Sequence, residues 1–434
     1  MRPPRTTSRV LQRSAGPSSF VCRRCLSRSF ASAAATPPTS GIAALKSRQL
    51  ISVAGRDAVK YLQGVITANI FGPGGTPRTS GFYTAFLSAQ GRVRYDSFIY
   101  PGLGAGPATD GADSFLVEVD AEDADSLVVH INRYKLRAKL KARLLGPNES
   151  TVWQVWDDSR GLPALTIDGL GAAKFGTPRL MLRDPRAPTM GSRVITTGPA
   201  TAATASRLSS LLNLEPTDEL HYRVRRYLNG VAEGQSELPH GQALPAESNM
   251  DLSGAIDFRK GCYVGQELTV RTKHRGVVRK RVLPCIIFDG ETPPANLRYE
   301  PSAPPPTTTE DGAPERDVAG DGDAVSPPTP SADVITHGES ITRLGRTGRV
   351  AGKWLAGTGN IGLALCRLDA MTDLPPPPGE TPTYDPNDVF VMSASSSPDS
   401  SMVAPSRTVK VKAFVPDWLR RGLVQQAEAA ARGH

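Results

Sequence analysis

The sequence predicts an α+β body followed by a small all-β unit, and three observations carry that prediction. Between residues 50 and 156, strand-like runs are broken by helical ones over hairpin-length links, a pattern opposed to a doubly wound parallel sheet. From residue 277 onward, short apolar runs recur without a good helix between them, as in a barrel or a sandwich. Gly 41 and Pro 38 make about 18 % of the 434 residues, so the folded body carries long interruptions.

The elements follow in order. Residues 50–53 read as a strand, and 55–67 as a helix with Val59, Leu62, Val65 and Ile66 on one face. Residues 82–87 and 92–100 read as strands around the Ala89-Gln90-Gly91 turn, and 115–119 as a third strand after a Gly/Pro/Ala loop. A helix with a basic tail is expected over 121–142, its Leu127, Val128, Ile131 and Leu140 facing inward, then a strand over 151–156. Helices are expected over 200–213 and from the capping signal Thr217-Asp218-Glu219 to about Tyr227. Strands then fall within 277–290, 341–366 and 408–415.

Two segments resist assignment. Residues 301–333 hold eight Pro and seven Asp or Glu against one Arg, too little apolar surface to offset chain entropy, and 374–407 is similarly rich in Pro and Ser. Both are expected as disordered inserts. The domain expectation is a leader over 1–40, the α+β region over 41–275, the β unit over 276–420 and a tail over 421–434.

Charge is informative only once located. The chain carries a net +9, yet residues 1–56 contain nine Arg and Lys46 with no acid, leaving the remainder at −1. The basic balance therefore belongs to the N-terminus and gives no ground for nucleic-acid binding by the body. An Arg-rich, Ser-rich, acid-free start is the composition of a mitochondrial or plastid transit peptide. Processing is expected near Phe30, which would discard Cys22 and Cys25. No run of about 18 apolar residues occurs, so no membrane span is expected. Five cysteines exclude a disulfide scaffold and suit a reducing compartment.

The chemistry concentrates in Lys260-Gly261-Cys262-Tyr263-Val264-Gly265-Gln266-Glu267, a tight turn feeding a helix start. A thiol there lies near unpaired N–H groups and the positive end of a helix dipole, with Arg259 and Lys260 adding charge. Each effect favours thiolate, making Cys262 the candidate nucleophile or metal ligand; the alternative is a small residue buried in a turn. A nucleophile needs a nearby base, and nothing shows that His240 or His274 converges on it. A zinc or iron–sulfur site needs about four ligands, whereas Cys285 and Cys366 sit in apolar strand patterns. One thiolate without companions is half a site, to be completed by another molecule. Arg271, Lys273, Arg275, Arg279, Lys280 and Arg281, with His274, form either an anion site or a solvated hairpin.

That octapeptide resembles the signature of the YgfZ/GcvT-like family, which is related to the glycine-cleavage aminomethyltransferase. Tyr61-Leu-Gln-Gly-Val-Ile-Thr67, Gly91-Arg-Val-Arg-Tyr-Asp96, Arg226-Tyr-Leu-Asn-Gly-Val-Ala-Glu-Gly234, Leu244-Pro-Ala-Glu-Ser-Asn249 and Gly352-Lys-Trp-Leu-Ala-Gly357 agree, in order, over about 45–372. Within the family the chain is most similar to the mitochondrial branch that assembles iron–sulfur clusters. The resemblance implies a folate-binding body of interlocked ferredoxin-like units with a C-terminal β-barrel. It implies a matrix factor acting late in [4Fe–4S] formation with A-type scaffold proteins, serving recipient [4Fe–4S] enzymes, with Cys262 as a ligand of a transiently shared cluster. It also implies a tetrahydrofolate cavity, to which Asp96, Arg271 and Arg275 are assigned as a folate or anion pocket. The aminomethyltransferases usually carry two adjacent acids where this chain has Tyr95-Asp96, and their folate-gripping Glu falls at Leu228. Those departures weaken the alternative of a tetrahydrofolate-dependent aminomethyl transferase. A thiol-redox enzyme would lack a resolving cysteine near Cys262.

Overall fold

The computed structural model describes residues 37–102, 113–160, 178–275, 277–301, 331–345, 350–376, 381, 383–394 and 407–432. Residues 1–36 of the expected leader, with its cysteines, most of the 301–333 insert and parts of 374–407 lie outside the described residues, and the first strand already begins at Ser40.

A five-stranded antiparallel sheet has the order β3-β4-β5-β2-β6. Its strands are β2 (Arg48–Ala54), β3 (Phe82–Leu87), β4 (Val93–Pro101), β5 (Ser114–Asp120) and β6 (Lys141–Leu144). Helices α1 (Ala58–Val65) and α2 (Ala124–Tyr134) cover one face, burying Leu62, Leu127 and Ile131 against Val53, Tyr95, Ile99 and Val117. The other face, through Tyr83, Phe98, Tyr100 and Leu116, joins the core shared with Trp156 and Ile195 of a second sheet. Burial on both faces explains why β3 reads as a nearly continuous apolar run.

The second sheet has the order β1-β7-β9-β8, from β1 (Ser40–Ala44), β7 (Ser150–Asp157), β8 (Pro178–Arg183) and β9 (Ser192–Thr197). Helix α3 (Ala202–Leu212) packs Leu208 and Leu212 on Trp153 and Val194. Helix α4 (Glu219–Asn229), capped by the Asp218 carboxylate accepting from the Leu220 N–H, contributes Tyr222, Val224 and Tyr227 to the core between the sheets. After α5 (Gln266–Arg275), six strands close a barrel in the order β10-β13-β12-β11-β14-β15. They are β10 (Lys280–Phe288), β11 (Ser340–Arg343), β12 (Gly352–Thr358), β13 (Ile361–Arg367), β14 (Phe390–Ala394) and β15 (Arg407–Ala413). Pairing of β15 back onto β10, Cys285 opposite Ala413, removes the sheet edges and decides for a barrel over a sandwich.

Several expectations are corrected. The helix expected over 121–142 stops at Tyr134, because Leu136 adopts a left-handed φ of 50° and Lys141–Leu144 pairs with β2 instead. The 374–407 insert contains β14, whose Phe390, Met392 and Ala394 face the barrel core behind Pro- and Ser-rich flanks. Ser331–Val334 is ordered likewise, with Ala332 buried. The tail belongs to helix α6 (Asp417–Arg432), held by buried Leu419. Strands β1, β8 and β9 are additions to the sequence reading.

Four buried arginines lie where the two sheets and α4 meet. Arg193 donates to Glu233 at 2.6 Å and lies 3.2 Å from Glu118, to which Arg48 donates at 3.0 Å. Arg186 bridges Asp184 and Glu233, each at 2.6 Å, and Arg226 holds Glu237 at 2.6 Å. Tyr100 and Tyr222 donate to Glu118 and Glu233 at 2.5 and 2.6 Å. Burial alone would raise the Glu233 carboxyl, but Arg193, Arg186, Arg48 and Arg226 together hold it well below the ordinary carboxylate range. Removing one partner from such a set leaves an uncompensated charge.

Arg193→Met is therefore expected to lower the stability by about 3–5 kcal/mol in urea unfolding, far above a typical surface change. A second expectation concerns pH. Burial, with the Arg94 guanidinium adding to it, pushes the His130 imidazole down to about 4 from 6.5. Between those values the unfolded chain binds the proton more readily, so stability falls as pH drops from 6.5 towards 4. His130→Phe should flatten that part of a pH–stability profile.

Candidate functional site

The signature is a loop nailed to two neighbours. Lys260 Nζ donates to the carbonyls of Gln63, Ile66 and Ala68 at 2.8, 2.7 and 2.8 Å, where the end of α1 leaves acceptors without intrahelical partners. Burial pushes the Lys260 amine down to about 7. The three-carbonyl cradle opposes that push, since only the ammonium has three protons to donate. The same Nζ lies 5.0 Å from the centroid of the buried Tyr263 ring. The Val264 N–H adds a bond to the Gly64 carbonyl at 3.0 Å.

The second anchor is the β3–β4 turn. Gly265 has φ 80°, and a Cβ there would lie 2.3 Å from the Ser88 carbonyl oxygen and 2.8 Å from Leu87 Cβ. Gly91 mirrors it, with φ 76° and a Cβ position 2.9 Å from the Gly265 oxygen. Only glycine at both places lets the two backbones touch. Gln266, the first residue of α5, turns its Oε1 back to accept the Tyr263 N–H at 3.2 Å, and Glu267 stands exposed in the first turn, where the dipole favours an acid.

Between these anchors Cys262 is exposed, four residues ahead of α5. Gly261 beside it faces open space, and Val264 is 43 % exposed. The thiol is thus carried on a fixed backbone and open to solvent, not sealed in a turn. Cys285 and Cys366 lie in the barrel core with sulfurs 3.8 Å apart, and burial pushes the Cys285 thiol well above its usual value. Among the described residues no group of three His, Cys, Asp or Glu side chains is placed to hold a metal ion.

The cationic residues divide. Arg271 and His274 line a shallow groove on α5 with Gln266, Glu267 and Val270, and Lys273 lies over the Phe258 ring at 5.2 Å. Arg279 and Lys280 are exposed at the start of the barrel. Arg281 is buried, paired with Asp251 at 2.9 Å, and serves structure instead of an anion site. The Arg275 side chain lies outside the described residues. Asp96 is fully buried, its Oδ1 accepting from Arg48 and from the Gly234 N–H at 3.3 and 3.1 Å. Buried Asp96 and exposed Arg271 therefore have different surroundings. Leu228 packs, half-buried, on the core between the sheets. Sequence reasoning missed the Lys260 cradle and the arginine set, since neither has a local pattern.

Residues 279–421 match the family model described as the CAF17 C-terminal β-barrel domain. A protein of Pyricularia oryzae named as an iron–sulfur cluster assembly factor IBA57 homolog, mitochondrial, is 50 % identical over 98 % of this chain and 99 % of its own length. The chain belongs to the IBA57 family. An IBA57 homolog of Chaetomium globosum, named in the same words, is 43 % identical over the whole of both chains, and one of Aspergillus fumigatus is 40 % identical over 97 % and 94 %. Among solved structures, the glycine cleavage system aminomethyltransferase T of Bartonella henselae superposes with TM-score 0.52 over 88 % of this chain and 86 % of that one, at 10 % identity. The IBA57-family chain thus has the aminomethyltransferase fold.

Gly265→Ala should cost about 2 kcal/mol or more in chemical unfolding, from strained φ and the clash with Ser88. Gly261→Ala, facing open space, should stay within about 0.5 kcal/mol. Equal losses would show that the signature glycines do not differ in packing.

Proposed function

We propose that this chain is a mitochondrial matrix iron–sulfur cluster assembly factor, acting late in [4Fe–4S] formation with A-type scaffold proteins and serving recipient [4Fe–4S] enzymes. In this reading Cys262 supplies one thiolate to a cluster whose remaining ligands come from the scaffold. The observation that supports it is an exposed thiol on a doubly anchored turn, with no metal-ligand set around it among the described residues. Relatives of 40–50 % identity carry the name of such a factor. The cluster is cargo here, not a resident group. Exposed Arg259, Arg271 and Lys273 provide positive potential for an anionic cluster or an acidic partner face.

The test is anaerobic mixing of the chain with a cluster-loaded A-type scaffold, read by visible absorbance and iron content of the isolated complex. The wild type should retain a cluster, and Cys262→Ala should lose it while still folding. Equal cluster content in the variant would overturn direct ligation.

A reduced folate is a second reading, supported by one specific observation. Asp96 Oδ2, ion-paired with Arg48 at 3.3 Å, and both polar atoms of the Gln235 amide are buried without hydrogen-bond partners, and Gln235 adjoins the Gly234 amide that Asp96 already accepts. An acceptor together with a donor–acceptor pair fits the amino-oxo edge of a pterin. Asp96 and Gln235 would hold that edge, and a bound folate would supply one-carbon carrier chemistry. Titration calorimetry with tetrahydrofolate should give a saturable heat that Asp96→Asn diminishes; absence of heat removes this reading and leaves the first intact.

A further inference from the structure

The signature grips the C-terminal end of α1, and a different surface lies at the other end. The Asp57 carboxylate, just ahead of α1, accepts the Lys139 N–H at 2.6 Å, which ties the segment following α2 to that end. This segment has an unusual composition. Between Asp125 and Glu149 there is no acid, and Arg133, Lys135, Arg137, Lys139, Lys141 and Arg143 supply six cations, all but Lys135 exposed. Only Arg143 has an acidic partner among them in the described residues, Glu149 at 2.7 Å.

Within the same stretch stand three exposed large apolar side chains, Val129 at 65 %, Tyr134 at 52 % and Leu136 at 84 % exposure. Leu136 follows α2 in the left-handed region, a position that asparagine or glycine fills with less strain. A leucine this exposed, at the bend after α2 and flanked in sequence by Arg133, Lys135, Arg137 and Lys139, has no role in the core, the arginine set or the signature.

We propose that this surface binds the face of a bilayer containing anionic phospholipid. Leu136 and Tyr134 enter the headgroup boundary, and Arg133, Arg137, Lys139 and Lys141 meet lipid phosphates. Charge complementarity supports this occupant, because polybasic segments gain attraction at each cation near an anionic leaflet. Apolar side chains that protrude, instead of lining a groove, suit insertion. Three lysines in nine residues point away from a protein interface core, where lysine is depleted. Attachment is peripheral, since no helix of the described residues is long and apolar enough to cross a membrane.

The test is co-sedimentation of the natively processed chain with vesicles of phosphatidylcholine alone or with a quarter of anionic phospholipid. Binding should require the anionic lipid and weaken with salt. Arg137→Ser with Lys139→Ser should weaken it about 25-fold, at about five-fold per cation. Leu136→Asn should weaken it about ten-fold, the loss of part of a leucine's burial, with an unchanged or raised melting temperature. That unchanged melting temperature separates lost binding from lost folding. Equal partitioning onto neutral vesicles, or unchanged binding by these variants, overturns the proposal. So does a loss of binding to an acidic protein with vesicle binding intact. Cys262→Ala should bind vesicles as the wild type does, so this proposal and the cluster reading fail separately.

Discussion

Four buried guanidiniums dictate how the N-terminal body is put together. Arg48 comes from β2, Arg186 from the link between β8 and β9, Arg193 from β9 and Arg226 from α4. No single element holds the carboxylates that neutralise them, because Glu118 lies on β5, and Glu233 and Glu237 follow α4. Leaving any one charge unpaired in this interior costs several kcal/mol, so the two sheets and α4 reach a stable state only in the arrangement that pairs them all. Stacking adds direction: Arg186 and Arg193 lie 5.0 and 4.8 Å from the Phe98 ring centroid. The aminomethyltransferase-like arrangement here is thus specified by polar pairing as well as by apolar burial.

This constraint also fixes the frame on which the signature rests. β4 carries Asp96 into the arginine set and begins just after the β3–β4 turn that meets Gly265. α1 packs on the opposite face of the same sheet and offers its C-terminal carbonyls to Lys260. The turn bearing Cys262 therefore has few independent motions. Its anchors are backbone groups, which are available whatever the side chains nearby.

Much of this was legible in the sequence and part of it was not, for physical reasons. Strands β2 to β5 and the barrel strands other than β14 show because their apolar positions repeat locally, and α4 shows because Asp218 stands at its start. β9 hides because Arg193 occupies a fully buried position, so a core strand reads as polar. α2 is overextended by sequence because Lys139–Leu144 alternates basic and apolar residues, which suits the end of a helix as readily as an edge strand. Lys260 invites a reading as electrostatic support for the thiolate. Its actual partners are carbonyls some two hundred residues earlier, and no local pattern encodes such a long-range contact.

The Lys260 cradle bears on the proposed role of Cys262 as a cluster ligand. A cluster shared between two chains gains from a ligand whose position is set before docking, since ordering a loop on binding subtracts from affinity. Here the ordering has been done on folding, by an ammonium with three carbonyl partners and a glycine pair that admits one backbone path. Among the described residues no base is hydrogen-bonded to the Cys262 sulfur, as a hydrolytic or transfer nucleophile would need. A fixed backbone and an open sulfur suit the proposed coordination by a visiting partner, and the two anchors supply that fixity.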